Sequence, residues 1–122
     1  MTKFKAQGFK NTFKNARKGF GLVFKSEMNI RIHLIIAFLV LLTAYFMNFN
    51  LTEYCILLIA IALVIISEIF NTAIEFTLDS VYHNRYSRMV GMAKDISAGA
   101  VMIASAVSAV IGIILFGKHI FF

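Results

Sequence analysis

Three long apolar stretches, each bounded by charged or polar residues, constrain this chain more than any other feature. The first covers residues 32–47, broken only by His33 and Thr43. The second starts at Tyr54 and is wholly apolar through Ile66. The third, Ile96–Phe116, is 21 residues without a charge. A membrane-spanning helix needs about 20 mostly apolar residues. The third stretch meets that length outright, and the first two meet it with their flanks. The expected membrane helices are therefore 30–49, 54–79 and 96–116. Of the 122 residues, 60% are hydrophobic. A soluble domain this small buries too little of its surface to hide such a fraction. The apolar content also excludes a disordered chain. The length suits one domain, residues 1–122. The single Cys55 excludes an intrachain disulfide and a cysteine zinc site.

Charge is distributed unevenly. Eight of the twelve basic residues lie in residues 1–31: Lys3, Lys5, Lys10, Lys14, Arg17, Lys18, Lys25 and Arg31. Segment 47–53 has no basic residue and carries Glu53, whereas segment 80–94 carries Arg85, Arg88 and Lys94. Basic flanks face the cytoplasm. That rule predicts a multi-pass protein of the cytoplasmic membrane with a cytoplasmic N-terminus and an extracytoplasmic C-terminus. A cleavable signal peptide fits poorly, because the first long apolar run begins only after about 30 residues.

Residues 1–29 are expected to form an amphipathic surface helix. At helical spacing Phe9, Phe13, Phe20 and Phe24 share an arc of about 60°, and Lys10, Lys14, Lys18 and Lys25 share a separate arc of about 80°. Phenylalanines toward the acyl chains and lysines toward anionic headgroups is the pattern of a helix lying in the interface. The same pattern also serves a plain anchor. A basic face backed by a greasy one, with no nucleic-acid motif, argues against nucleic acid.

The second stretch continues into polar residues without a break. Glu68, Asn71, Glu75 and Asp79 fall within about 80° on a helical wheel, stacked along one face. Glu68 lies about 21 Å along the helix from Tyr54, and Glu75 about 31 Å. Against a hydrocarbon core about 30 Å thick, Glu68 sits in the inner half and Glu75 and Asp79 at the cytoplasmic boundary. A carboxylate inside a span is costly and marks function. For Asp79 alone, polarity at a helix end is the plainer reading. Glu27 is the one acid of the basic N-terminal segment, and Lys94-Asp95 stands at the cytoplasmic mouth of the third span. Together these residues suit a divalent metal held by carboxylates with a phosphate beside it. Glu68, deeper than the rest, suits proton removal from a lipid headgroup hydroxyl. Chemistry moving phosphate from a soluble donor to a lipid alcohol fits this location. The chain has no Walker A motif and no protein-kinase signature, and its residues alone do not name the donor.

The run Glu68-Ile-Phe-Asn71-Thr-Ala-Ile-Glu75-Phe-Thr-Leu-Asp79, followed by Ala93-Lys94-Asp95 and a helix rich in small residues, resembles the small bacterial membrane diacylglycerol kinase family. Lys25-Ser-Glu27-Met-Asn29-Ile-Arg31-Ile-His33 resembles its Gram-positive branch, whose members act mainly as undecaprenol kinases. The resemblance implies a homotrimer with active sites shared between protomers. It implies transfer of the γ-phosphate of MgATP to the hydroxyl of undecaprenol, with diacylglycerol as the alternative acceptor. By motif position Glu68 is the general base, Glu27 and Glu75 hold Mg²⁺ on the ATP phosphates, and Asn71 orients that cluster. Lys94 is placed on phosphate, Asp95 on the nucleoside side, and Lys10 as an N-terminal cation near the nucleotide. Asp79 matches a motif acid without an assigned role. Arg85-Tyr86-Ser87, one residue more between Asp79 and Gly91, and Asn15 in place of an aromatic depart from the Gram-negative pattern on the nucleotide side.

Two other classes compete. A small proton-coupled transporter would use Glu68 as its carrier acid, near the midplane and reachable from both sides. The polar stripe here runs to one boundary only. A scaffold or pore-forming peptide does not need stacked acids. Ala98, Gly99, Ala100, Ala104, Ser105, Ala106, Ser108, Ala109 and Gly112 allow close helix packing, within one protomer or between protomers. His33, His83 and His119 read as structural or interfacial residues, with assistance to the Glu27 region as the alternative for His33.

Overall fold

The computed structural model describes residues 8–122. Residues 1–7 of the expected surface segment, with Lys3 and Lys5, lie outside the described residues. The described chain forms four helices: α1 (Phe9–Ser26), α2 (Met28–Phe46), α3 (Leu51–Tyr82) and α4 (Arg88–Phe121). The last three are long and apolar enough to cross a membrane. Their lipid-compatible surface is evident in Phe38, Ile59 and Ile113, each more than 60% exposed.

Helices α3 and α4 extend beyond the apolar segments they contain, whereas α2 stops at Phe46, short of the expected residue 49, because the chain turns at Asn48 with φ of 58°. Helix α3 begins at Leu51 instead of residue 54 because Asn50 and Glu53 form a capping box. The Glu53 N–H donates to Asn50 Oδ1 at 2.9 Å, and the Asn50 N–H donates to Glu53 Oε1 at 3.0 Å. Both satisfy amides that the first turn of a helix leaves free. Helix α4 begins at Arg88, well before the expected residue 96, because the Ser87 hydroxyl accepts from the Val90 N–H at 3.1 Å. The expected 80–94 loop therefore shrinks to residues 83–87. His83 and Asn84 turn the chain there with φ of 52° and 62°. Tyr86 lies back over the first turn of α4. A Cβ at position 91 would stand 3.1 Å from its ring, so Gly91 is what lets the ring approach.

A single extended residue, Glu27 (φ −116°), separates α1 from α2, with its N–H bonded to Val23 O at 2.9 Å. It is thereby held at the positive end of α2, where an acid is favoured. Helix α1 carries the exposed rings of Phe9 and Phe13, which stack with centroids 6.5 Å apart.

Helices α3 and α4 make the most extensive contact in the molecule. They are antiparallel and in steady register. The Ser97 hydroxyl donates to Asn71 Oδ1, and the Ser108 hydroxyl donates to Ala60 O at 2.7 Å. Eleven residues separate the two contacts on each helix, so neither slips against the other. Ala60, Ala104 and Ser97 are buried along this seam, where small side chains permit close approach. At one end Ala44, Phe49, Leu57 and Leu115 form an apolar cluster. At the other end Ile30 and Thr72 are fully buried.

Candidate functional site

Antiparallel packing of α2 against α3 builds the site from Glu27 and the α3 stripe. His33 Nε2 lies 3.3 Å from Glu68 Oε1, which sets the register of the two helices. From that contact Glu27 is six residues back along α2, about 9 Å, and Glu75 is seven residues on along α3, about 10 Å. The two carboxylates thus come level. Partial burial first, and then the charges of Glu75 and Glu68, hold the Glu27 carboxyl above its ordinary range. Three acids separated by the sequence therefore share one electrostatic environment.

Each remaining member of the stripe is held by a neighbour. Asn71 Nδ2 donates to Glu75 Oε1 at 3.0 Å, while its Oδ1 accepts from Ser97 on α4 at 2.5 Å. The amide is thereby oriented at both ends, and its donor end steers Glu75. Lys94 Nζ donates to Asp79 Oδ1 at 2.7 Å, with both side chains a little more than a third exposed. Glu68 is the buried member, 5% exposed, and Thr72 Oγ1 donates to its backbone carbonyl at 3.0 Å.

Two sequence candidates are not brought in. Asp95 is exposed, turned from the face of α4 on which Lys94 and Ser97 meet α3. Lys10 is in the first turn of α1, seventeen residues and about 25 Å of helix from Glu27 at the other end. It is also exposed. Within one chain it stands apart from the carboxylates.

Two partners were not foreseen. His33, read as structural or interfacial, is the side chain that meets Glu68. Ser97 anchors Asn71. It follows Lys94 by one helical turn, so a shared face of α4 was legible in the spacing, but its partner on α3 was not.

Among the described residues, no group of three or more His, Cys, Asp or Glu side chains could hold a metal ion unaided. The donor set still fits Mg²⁺. That ion takes oxygen ligands and is usually held by one or two carboxylates, with substrate phosphates and water completing its shell. Glu27 and Glu75 supply two carboxylates whose mutual repulsion a cation would relieve.

An apolar groove of about 520 Å³ runs between α2, α3 and α4, with His33 at one end and Phe116 toward the other. Val40, Ala60, Val64 and Gly112 contribute to its walls. Its one ionisable lining residue, His33, is the residue touching Glu68.

At the opposite end of the bundle stands a separate polar cluster. Glu53 is buried and meets His119 Nε2 at 2.8 Å and Lys118 Nζ at 3.4 Å. The His119 ring stacks on Phe49 with centroids 4.4 Å apart. It ties the end of α4 to the α2–α3 turn.

Comparison with known proteins gives consistent matches. The family model described as prokaryotic diacylglycerol kinase matches residues 14–116. The undecaprenol kinase of Bacillus subtilis is 30% identical over 108 residues, covering 88% of this chain and 87% of that protein. The diacylglycerol kinase of Synechocystis is 30% identical over 101 residues, covering 83% of this chain. The match spans 58% of the length of that cyanobacterial relative.

Proposed function

The chain belongs to the prokaryotic diacylglycerol kinase family and is a lipid kinase, and from that premise we propose that it transfers the γ-phosphate of MgATP to the hydroxyl of undecaprenol at the cytoplasmic surface of the membrane. The observation carrying this reading is the placement of the acids. Glu68 is buried about two helical turns farther into α3 than Glu75, toward the middle of the helix, and Glu27 and Glu75 lie together at the charged end of the bundle. A lipid hydroxyl at headgroup depth meets the first while a soluble nucleotide meets the others.

Phosphoryl transfer asks the protein mainly for positioning and charge neutralisation. In this reading Glu27 and Glu75 hold the metal, which when bound neutralises charge on the phosphates. Asn71, fixed by Ser97, keeps Glu75 turned toward its place. Asp79 holds the Lys94 ammonium at the charged end of the bundle, where it can contact phosphate. Asp95, exposed on the next face of α4, lies free for the nucleoside side. Glu68 accepts the hydroxyl proton. Lys10, distant within its own chain, reaches a nucleotide only from a neighbouring copy, which accords with a homotrimer sharing its sites. The apolar groove headed by His33 suits a long hydrocarbon tail. The basic residues of the N-terminal segment, with Arg85, Arg88 and Lys94 around the 83–87 loop, favour a cytoplasmic position for both. Helix α1 rests in the interface through its phenylalanines.

The transporter alternative falls away with membership of a kinase family. Diacylglycerol is the second reading for the acceptor, favoured by the name of the cyanobacterial relative. The test is ATP consumption by purified protein in detergent, with undecaprenol and diacylglycerol offered separately, and Glu68→Gln as control. Preference for undecaprenol with an inactive, folded Glu68→Gln variant supports the reading. Preference for diacylglycerol moves the acceptor and keeps the mechanism. Near-normal turnover by Glu68→Gln overturns the general-base role.

A further inference from the structure

We propose that His33 receives the proton that Glu68 takes from the lipid hydroxyl and returns it to water, so that the base is reset for each turnover. The inference rests on the assignment of Glu68 as general base. Among the described residues His33 is the side chain in polar contact with the Glu68 carboxylate, at 3.3 Å from Nε2 to Oε1. The two differ in access: the Glu68 side chain is 6% exposed and that of His33 is 29% exposed. A buried carboxyl that has gained a proton needs an exit, and the group beside it is the more open one. Imidazole is suited to the task because it accepts a proton on one ring nitrogen and releases one from the other. His33 also heads the apolar groove, so it lies where a lipid alcohol entering along that groove would end.

The chemistry balances without a further reagent. The lipid oxygen forms its bond to the γ-phosphorus as the bond from that phosphorus to the β-phosphate oxygen breaks, and the leaving diphosphate keeps the electron pair. The hydroxyl proton passes to the Glu68 carboxylate. The resulting acid gives it to Nε2 of neutral His33, in the tautomer protonated on Nδ1. The imidazolium then releases the Nδ1 proton to water, and tautomer exchange through water restores the starting form for the next turnover. His33 thus acts through Glu68, as a positioning and proton-exchange residue.

The test compares His33→Gln, His33→Ala and Glu68→Gln in the full-length protein, with steady-state turnover measured against lipid and nucleotide separately. His33→Gln keeps a polar side chain able to hydrogen-bond Glu68 but cannot carry a proton. Both His33 variants are expected to hold their KM values within about threefold while kcat falls roughly 10²-fold. Free imidazole is expected to restore kcat to His33→Ala, in proportion to the concentration of its neutral form. Wild-type kcat in His33→Gln overturns the proposal, as does a loss in His33→Ala that imidazole leaves unchanged. Normal turnover in Glu68→Gln would overturn the base assignment beneath it. An inactive Glu68→Gln beside a normal His33→Gln would overturn the role of His33 alone.

Discussion

Lys94 Nζ lies 2.7 Å from Asp79 Oδ1, bridging α3 and α4 at the charged end of the bundle. An ion pair this exposed contributes little to stability, so its value is in where it holds the ammonium. Asp79→Asn is therefore expected to raise the KM for nucleotide roughly tenfold while leaving kcat within a few-fold. Lys94→Ala should lower kcat/KM more deeply, because the cation itself is gone. Steady-state kinetics with varied ATP separate the two. Equal effects from both variants would place Asp79 on the nucleotide directly.

Ser97 acts on the site through Asn71. Ser97→Ala leaves the Asn71 carbonyl without its α4 donor, and a hydrogen bond of this kind is worth about 0.5–1.5 kcal/mol. The expected result is a small loss of thermal stability in detergent. A several-fold higher Mg²⁺ requirement should accompany it, since Asn71 no longer steers Glu75. A stability loss with unchanged Mg²⁺ titration would confine Ser97 to packing.

The raised titration of Glu27 gives a signed pH dependence. Burial and the neighbouring charges of Glu75 and Glu68 favour its protonated form. Its contribution to folding is therefore full below the unfolded value and is lost as pH rises through the folded value. Metal binding runs the other way, because the cation must displace that proton. Apparent Mg²⁺ affinity should weaken as pH falls through the Glu27 range. Glu27→Gln should weaken affinity overall and flatten this dependence, measured against wild type at matched ATP so that protonation of the nucleotide cancels.

The Glu53–Lys118–His119 cluster stands at the end of the bundle away from the site. Glu53→Gln and His119→Ala should shorten the half-life of activity on heating and leave the KM values for lipid and ATP unchanged. A changed KM with unchanged heat resistance would contradict a purely structural role for this tie.

Much of the molecule was legible from its residues. Three apolar runs dictated three helices long and apolar enough to cross a membrane, because a polar backbone in hydrocarbon must satisfy its own hydrogen bonds. The stacking of Glu68, Asn71, Glu75 and Asp79 on one face followed from helical spacing alone. The caps at Asn50 and Ser87 were present as residue types, yet the helix starts were placed too late. Hydropathy weighs only side chains, and a capped polar turn continues a helix beyond the apolar segment.

What the sequence by itself determined is therefore the set of helices and the face on which each carries its chemistry, since both are set within a few residues of chain. Only the tertiary structure decided which faces meet. The pairing of His33 with Glu68, of Ser97 with Asn71 and of Lys94 with Asp79, and the levelling of Glu27 with Glu75, all depend on the axial offset between antiparallel helices. That offset is set by close packing of small side chains along the α3–α4 seam and by burial of Ile30 and Thr72 at the charged end. No local pattern encodes it, because one helical step along the axis leaves every sequence spacing unchanged and replaces every partner.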